Sequence, residues 1–346
     1  MKQHTMELRS LVFGTLLSGL SFTAFAETPN NQDEIDLVKQ CILNEIIGGD
    51  KNQTVEQLRT RCAKLDAAKQ LSSLDKRVAR ERVSEKNRNV LTPHHRNYIL
   101  PVSYISSPNN RPFDGLKDID QEAGEPLDNF EVKYQLSLKV PIYNNFSDSD
   151  QAIYMGFTLQ SYWQFYNKDI SSPFRETNYE PELFWINFLD DENVLWGDEM
   201  AVVLGISHQS NGRSQPNSRS WNRLYANFIW ENNGFVFSFK PWYRLPEDDK
   251  PTPLDAKGDD NPDIHKYMGY FEFSGVYRYE EHEFGFMTRN NLNSDNRGAI
   301  QLDWSFPIWG RLRGYAQYFN GYGESLIDYD ADIQRFGVGI LLTDIL

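Results

Sequence analysis

The sequence predicts an all-β fold, a 12-stranded antiparallel transmembrane β-barrel with a small N-terminal helical periplasmic segment. Three observations carry this. From about residue 96 onward, apolar and polar residues alternate with a period of two, as in strands with one face in lipid and the other in a packed interior. The connections between these runs alternate between short and long, as tight periplasmic turns and long outer loops do. Aromatic residues are abundant, with 18 Tyr, 22 Phe and 8 Trp, enough for girdles at both membrane interfaces.

Taken in order, residues 1–26 read as a secretory leader: Lys2 and Arg9, an apolar run from Leu11 to Phe22, then Ala24-Phe25-Ala26 before a polar segment. The mature chain is therefore expected to be exported. Residues 27–92 lack Trp, Phe and Tyr, and they show helical spacing at Leu37, Cys41 and Ile42 and again at Val55, Leu58, Cys62 and Leu65. Cys41 and Cys62 are the 2 cysteines of the chain. An even count in an exported protein predicts a Cys41–Cys62 disulfide, closing a loop of about 20 residues and contributing roughly 3 kcal/mol in the chain-entropy picture. The charge-dense stretch 73–89 reads as a solvated helix or linker, and the whole segment is a candidate for docking a periplasmic partner. A formal charge of −14 argues against nucleic acid, which needs clustered Lys and Arg.

The barrel domain, 93–346, contains about a dozen alternating runs, near 96–106, 128–142, 151–166, 180–190, 199–210, 219–231, 234–245, 266–280, 283–291, 298–306, 309–320 and 332–344. In the third, Ile153, Met155, Phe157 and Leu159 share one face, and Tyr154, Gly156, Thr158 and Gln160 share the other. Short links at 143–150, 190–198, 231–234, 280–282 and 309–310 alternate with longer polar ones. His94 and His95, at the domain boundary, read as exposed linker histidines rather than metal ligands. The acidic stretch from Glu247 to Asp263 reads as a solvated outer loop, with binding of divalent cations as the other reading.

Chemistry concentrates in Gly205–Tyr225, which reads GISHQSNGRSQPNSRSWNRLY. His208 and Ser210 lie two apart on a strand and share the apolar face of Ile206, Leu204 and Val202. If the hairpin folds about Gln215, position 208 falls opposite Asn222 on the barrel exterior. Polar groups at the lipid edge cost free energy unless they satisfy one another or act. Two readings stay open on these grounds: a polar collar above the bilayer, or a relay with Asn222 orienting His208 as general base for the nucleophile Ser210.

The stretch HQSNGRSQPNSRSWNR resembles the active-site signature of outer membrane phospholipase A, the bacterial detergent-resistant phospholipase A family. Similar matches follow at SSPFRETNYEPELF from Ser171, KPWYR from Lys240, DDNPDIHKYMGYFEF from Asp259 and GYGESLIDYD from Gly321. The resemblance implies a serine hydrolase of the bacterial outer membrane with phospholipase A1, A2 and lysophospholipase activities on sn-1 and sn-2 acyl esters. It implies Ser210 as nucleophile, His208 as base, Asn222 as its orienter and the Gly212 N–H as oxyanion donor. It also implies a calcium ion held by the carbonyls of Arg213 and Ser218 and by the Ser171 hydroxyl of the partner subunit, so that a homodimer is the active form. Membrane phospholipids would be the substrate. One departure is Leu159 at the family's interface-glutamine position, with Gln160 beside it on the opposite face. The alternative from a different class is a non-catalytic barrel, a narrow pore or structural protein.

Overall fold

The computed structural model describes residues 54, 77–78, 91–114, 127–144, 151–189, 199–252, 254–310 and 312–343. The predicted leader, most of the helical segment and the Cys41–Cys62 pairing lie outside these residues. The barrel belongs to a compact unit spanning 71–346. Its strands are β1 (Thr92–Pro93), β2 (Asn97–Ile105), β3 (Phe130–Asn144), β4 (Gln151–Trp163), β5 (Phe174–Leu189), β6 (Glu199–Ser210) and β7 (Ser220–Asn232). They continue as β8 (Phe235–Arg244), β9 (Phe271–Tyr279), β10 (His282–Asn290), β11 (Gly298–Trp309), β12 (Leu312–Tyr322) and β13 (Asp332–Thr343). Two one-turn helices, α1 (Arg111–Asp114) and α2 (His265–Met268), sit in outer loops.

Each strand from β2 to β13 pairs antiparallel with its sequence neighbours, and β13 returns to pair with β2, so 12 strands close the barrel without a free edge. The two-residue β1 pairs with β3 ahead of β2, so the two form one interrupted strand with a kink at His94–Arg96. Closure satisfies the backbone polar groups in lipid.

Alternation places opposite chemistry on the two faces. Leu136, Leu138, Met155, Phe157, Leu183, Leu204, Ile206 and Leu224 are exposed outside. Inward, Arg175 pairs with Glu131 (3.0 Å) and Asp328 (2.6 Å), while Arg335 pairs with Glu131 and Glu324 (both 2.7 Å) and Lys133 with Glu324 (2.9 Å). These ions are buried but mutually compensated, which is what makes charge tolerable in a dry interior. A lumen cavity of about 460 Å³ remains. Aromatic clusters mark both rims. Trp163, Phe165, Tyr166 and Phe174 gather at the loop end, and Phe235, Phe237 and Tyr277 at the turn end.

The expected strand at 180–190 begins earlier, at Phe174, and runs through Pro181. Its ladder to β6 pairs Tyr179 with Ser210 and Glu182 with Ser207, without a pair at Pro181, which has no N–H to give. The run expected as a strand over 266–280 begins instead with α2, which ends at Gly269 with φ of 68°, before β9 starts at Phe271.

Candidate active site

The β6–β7 hairpin pairs His208 with Asn222, Ser210 with Ser220 and Ile206 with Leu224. This is the register expected from folding about Gln215. The lumen side pins it: Trp221 is fully buried, its indole N–H donates to Gln209 Oε1 (2.7 Å), and the Arg223 guanidinium lies 4.1 Å over its ring. Because the side-chain period is two, burying Trp221 and Arg223 turns Asn222 outward. Opposite it, burial of Ser207 turns His208 outward as well.

His208 Nδ1 and Asn222 Oδ1 are 2.9 Å apart. With the amide oxygen on the ring as acceptor, this contact is a hydrogen bond in the tautomer that has its proton on Nδ1 and the lone pair on Nε2. Asn222 Nδ2 in turn donates to Glu247 Oε1 at 3.1 Å. Ser210 is half-buried two residues from His208 on the same outer face, and Tyr179, 37% exposed, is its cross-strand neighbour on β5. No hydrogen bond joins Ser210 to His208 among the described residues.

The loop that follows is organised by Asn211 and Asp260. Asn211 Oδ1 accepts from the N–H of Arg219 (2.9 Å) and of Arg213 (3.3 Å), and its Nδ2 donates to Asn217 O (2.9 Å). Asp260 accepts from Ser218 Oγ (2.6 Å) and Gln215 Nε2 (2.8 Å) and pairs with Lys250. Burial works against the Asp260 carboxylate, but the donors from Lys250, Ser218 and Gln215 prevail and hold its pKa below the ordinary value. Gly212 has φ of 63°, a conformation that favours glycine, and its N–H donates to no acceptor among the described residues. A side chain there would meet the Tyr179 ring at 3.5 Å.

The Arg213 guanidinium donates to Glu176 Oε2 (3.1 Å) and to the carbonyls of Phe174 and Arg175, tying the loop to the start of β5. Its own carbonyl accepts no hydrogen bond among the described residues. The Ser218 carbonyl accepts from Arg219 Nη1 (2.7 Å). Ser171 is exposed in the adjacent β4–β5 loop, with φ of 59°. Sequence reasoning missed Tyr179, Glu176 and the individual roles of Glu247 and Asp260, the last two being submerged in one charged run.

His94 departs from the expectation of an exposed linker histidine, whereas His95 is exposed as expected. The kink between β1 and β2 turns His94 inward, where it stacks on Phe184 (5.0 Å) and reaches Glu182 Oε1 (2.8 Å), with His95 Nε2 at 3.8 Å from the same oxygen. These three side chains form a group geometrically able to hold a metal. Lys240 already stands 3.7 Å from the other Glu182 oxygen, opposing a further cation. Gln160 faces the lumen, bonded to Tyr98 and Tyr162, whereas Leu159 is outward.

The family model described as Phospholipase A1 matches residues 74–342. The phospholipase A1 of Klebsiella pneumoniae is 38% identical over 256 residues, covering 74% of this chain and 83% of that one. The phospholipase A1 of Escherichia coli K12 is 41% identical over 215 residues, 62% of this chain and 70% of that one. Among solved structures, outer membrane phospholipase A from Escherichia coli superposes with a TM-score of 0.65 at 37% identity, covering 74% of this chain and 100% of that one. The calcium-bound dimer of the Salmonella typhi outer membrane phospholipase gives 0.65 at 37% identity, with 75% and 94% covered. An active-site asparagine-to-alanine mutant of the Escherichia coli enzyme gives 0.65 at 36% identity, with 75% and 94% covered. A closed 12-stranded barrel, a polar hairpin on its outer face and these matches lead to one conclusion: the chain belongs to the phospholipase A1 family of bacterial outer-membrane enzymes.

Proposed function

We propose that the chain hydrolyses the sn-1 and sn-2 acyl esters of glycerophospholipids and lysophospholipids through Ser210, His208 and Asn222, on the lipid-facing outer surface of the barrel. The observation that carries this is the His208–Asn222 contact of 2.9 Å on the same outer face as Ser210. Ser210 Oγ attacks the acyl carbonyl while His208 Nε2 takes its proton. The imidazolium, held at Nδ1 by Asn222 Oδ1, returns that proton to the leaving alcohol, and water then releases the fatty acid by the same steps. The free Gly212 N–H suits the oxyanion formed at attack. Exposed Ile206, Leu204 and Leu224 below the polar residues present an apolar track to acyl chains, so substrate enters laterally from the membrane. The asparagine-to-alanine active-site mutant of the Escherichia coli relative supports an asparagine as the third member.

Calcium fits the donor set. The Arg213 and Ser218 carbonyls are oxygen ligands suited to a hard cation, and the absence of a carboxylate among them predicts weak binding that a partner subunit's Ser171 hydroxyl would complete. Such an ion, when bound, supplies positive charge beside the developing oxyanion. The Arg219 guanidinium on the Ser218 carbonyl would have to share or yield that oxygen. The calcium-bound dimer of the Salmonella typhi relative supports linkage of calcium and dimerisation.

Covalent labelling by a sulfonyl fluoride tests the assignment. The wild type should be labelled at Ser210 and lose hydrolysis in proportion; label elsewhere with loss of activity would contradict it.

A further inference from the structure

An ionisable side chain that the proposed relay does not use lies directly against it. Glu247 follows β8 by three residues, and its Oε1 accepts from Asn222 Nδ2 at 3.1 Å while Asn222 Oδ1 faces His208 Nδ1 at 2.9 Å. The amide is thus engaged at both ends. The backbone keeps Glu247 within reach, because Leu245 N–H donates to the Asn222 carbonyl at 2.8 Å and Pro246 stiffens the link between them.

An asparagine is ambiguous as an orienter. Either end of its amide could face the imidazole, and with Nδ2 inward two donors would meet at Nδ1 and the tautomer that leaves Nε2 free would be lost. An aspartate has no such ambiguity, since both its oxygens accept. Something must therefore fix the flip of Asn222, and a carboxylate, which accepts hydrogen bonds when ionised, does so by claiming the Nδ2 end.

We propose that Glu247 is a positioning residue for the proposed Ser210–His208–Asn222 relay: it locks the Asn222 amide with its oxygen on His208 and places a negative charge behind the imidazolium. This inference rests on the reading of those three residues as the catalytic relay. The charges that reach Glu247 are Arg244 at the end of β8 and Asp259 and Asp260 from the loop before α2. Burial pushes its carboxyl above the ordinary range, the Asn222 hydrogen bond opposes that, and Asp259 adds to it.

The relation predicts non-additivity. Asn222→Asp sets two carboxylates against each other across the 3.1 Å contact in the wild type. In a Glu247→Gln background, the glutamine amide donates to the carboxylate introduced at position 222 and that conflict disappears. The test measures kcat and KM for wild type, Glu247→Gln, Asn222→Asp and the double variant, each confirmed as a folded, heat-modifiable barrel. Expected is a kcat loss of about tenfold in Glu247→Gln with KM within about twofold. Asn222→Asp should cost at least about fivefold less in the Glu247→Gln background than in the wild type. The cycle decides: equal losses in both backgrounds overturn the inference, whatever Glu247→Gln does alone. Ser210→Ala, assayed alongside, separates the two levels, since retained hydrolysis there would sink the relay itself, whereas a dead Ser210→Ala with an additive cycle sinks only the role of Glu247.

Discussion

His208 and Asn222 face each other directly across the β6–β7 hairpin, with Nδ1 and Oδ1 2.9 Å apart on the outside of the barrel. On a rigid paired register, the proposed base and its proposed orienter need no loop motion to meet. His208→Asn and Asn222→Ala are each expected to leave the barrel folded. The histidine variant should lose about 10³-fold or more in ester hydrolysis and the asparagine variant somewhat less, as for other serine relays. Hydrolysis of a chromogenic acyl ester in detergent checks this.

Gly212 presents its N–H through a positive φ of 63°. Gly212→Ala forces a side chain into that conformation at a cost of about 1 kcal/mol and moves the donor, so kcat should fall about 10- to 100-fold with little change in KM. An unchanged kcat would remove Gly212 from the oxyanion role.

The proposed ligand set for calcium is sparse, so chelation should silence hydrolysis reversibly and calcium should raise the thermal midpoint in a concentration-dependent way. Magnesium, which demands tighter octahedral geometry, should substitute poorly. Cross-linking before and after chelation reads dimerisation on the same samples.

Glu247 has a folded pKa raised from its ordinary 4.5, with burial the leading cause. The folded state then binds the proton more tightly than the unfolded one. Its contribution to stability is present below the ordinary value and is lost as pH rises through the folded value. Wild type should therefore lose stability relative to Glu247→Gln as pH rises through that window, which urea unfolding at stepped pH measures.

In the lumen, Arg335 joins Glu131 and Glu324. Arg335→Met takes one of two cationic partners from each of Glu131 and Glu324, which keep Arg175 and Lys133, and should destabilise the barrel by about 2–3 kcal/mol, the scale of lost buried hydrogen bonds to charged groups. Unfolding midpoints in detergent report it, and activity of the folded fraction should be retained.

Much of this molecule was legible in its sequence because a barrel strand advertises its two environments at every second residue. Ile153, Met155 and Phe157 against Tyr154 and Thr158 already separate lipid from lumen, and the same periodicity carried His208, Ser210 and Asn222 to the outer face. What was not legible depends on where the chain goes after it leaves the sheet. Glu247 belongs to the site only because Leu245 is bonded to Asn222, and Asp260 only because its loop folds back over Gln215 and Ser218. His94 reads as exposed in the sequence because the kink that turns it inward, beside the buried Arg96–Glu283 pair, has no local signal. The start of β5 from Phe174 lies ahead of the predicted run, in a stretch that pairs with β4.

The central claim is that this outer-face hairpin is an esterase site, and the release of fatty acid from phospholipid vesicles or micelles by purified protein tests it most directly. Wild type with calcium should release fatty acid, wild type with chelator should not, and folded Ser210→Ala should be inactive with calcium present. Calcium-dependent release by Ser210→Ala at the wild-type rate would contradict the account.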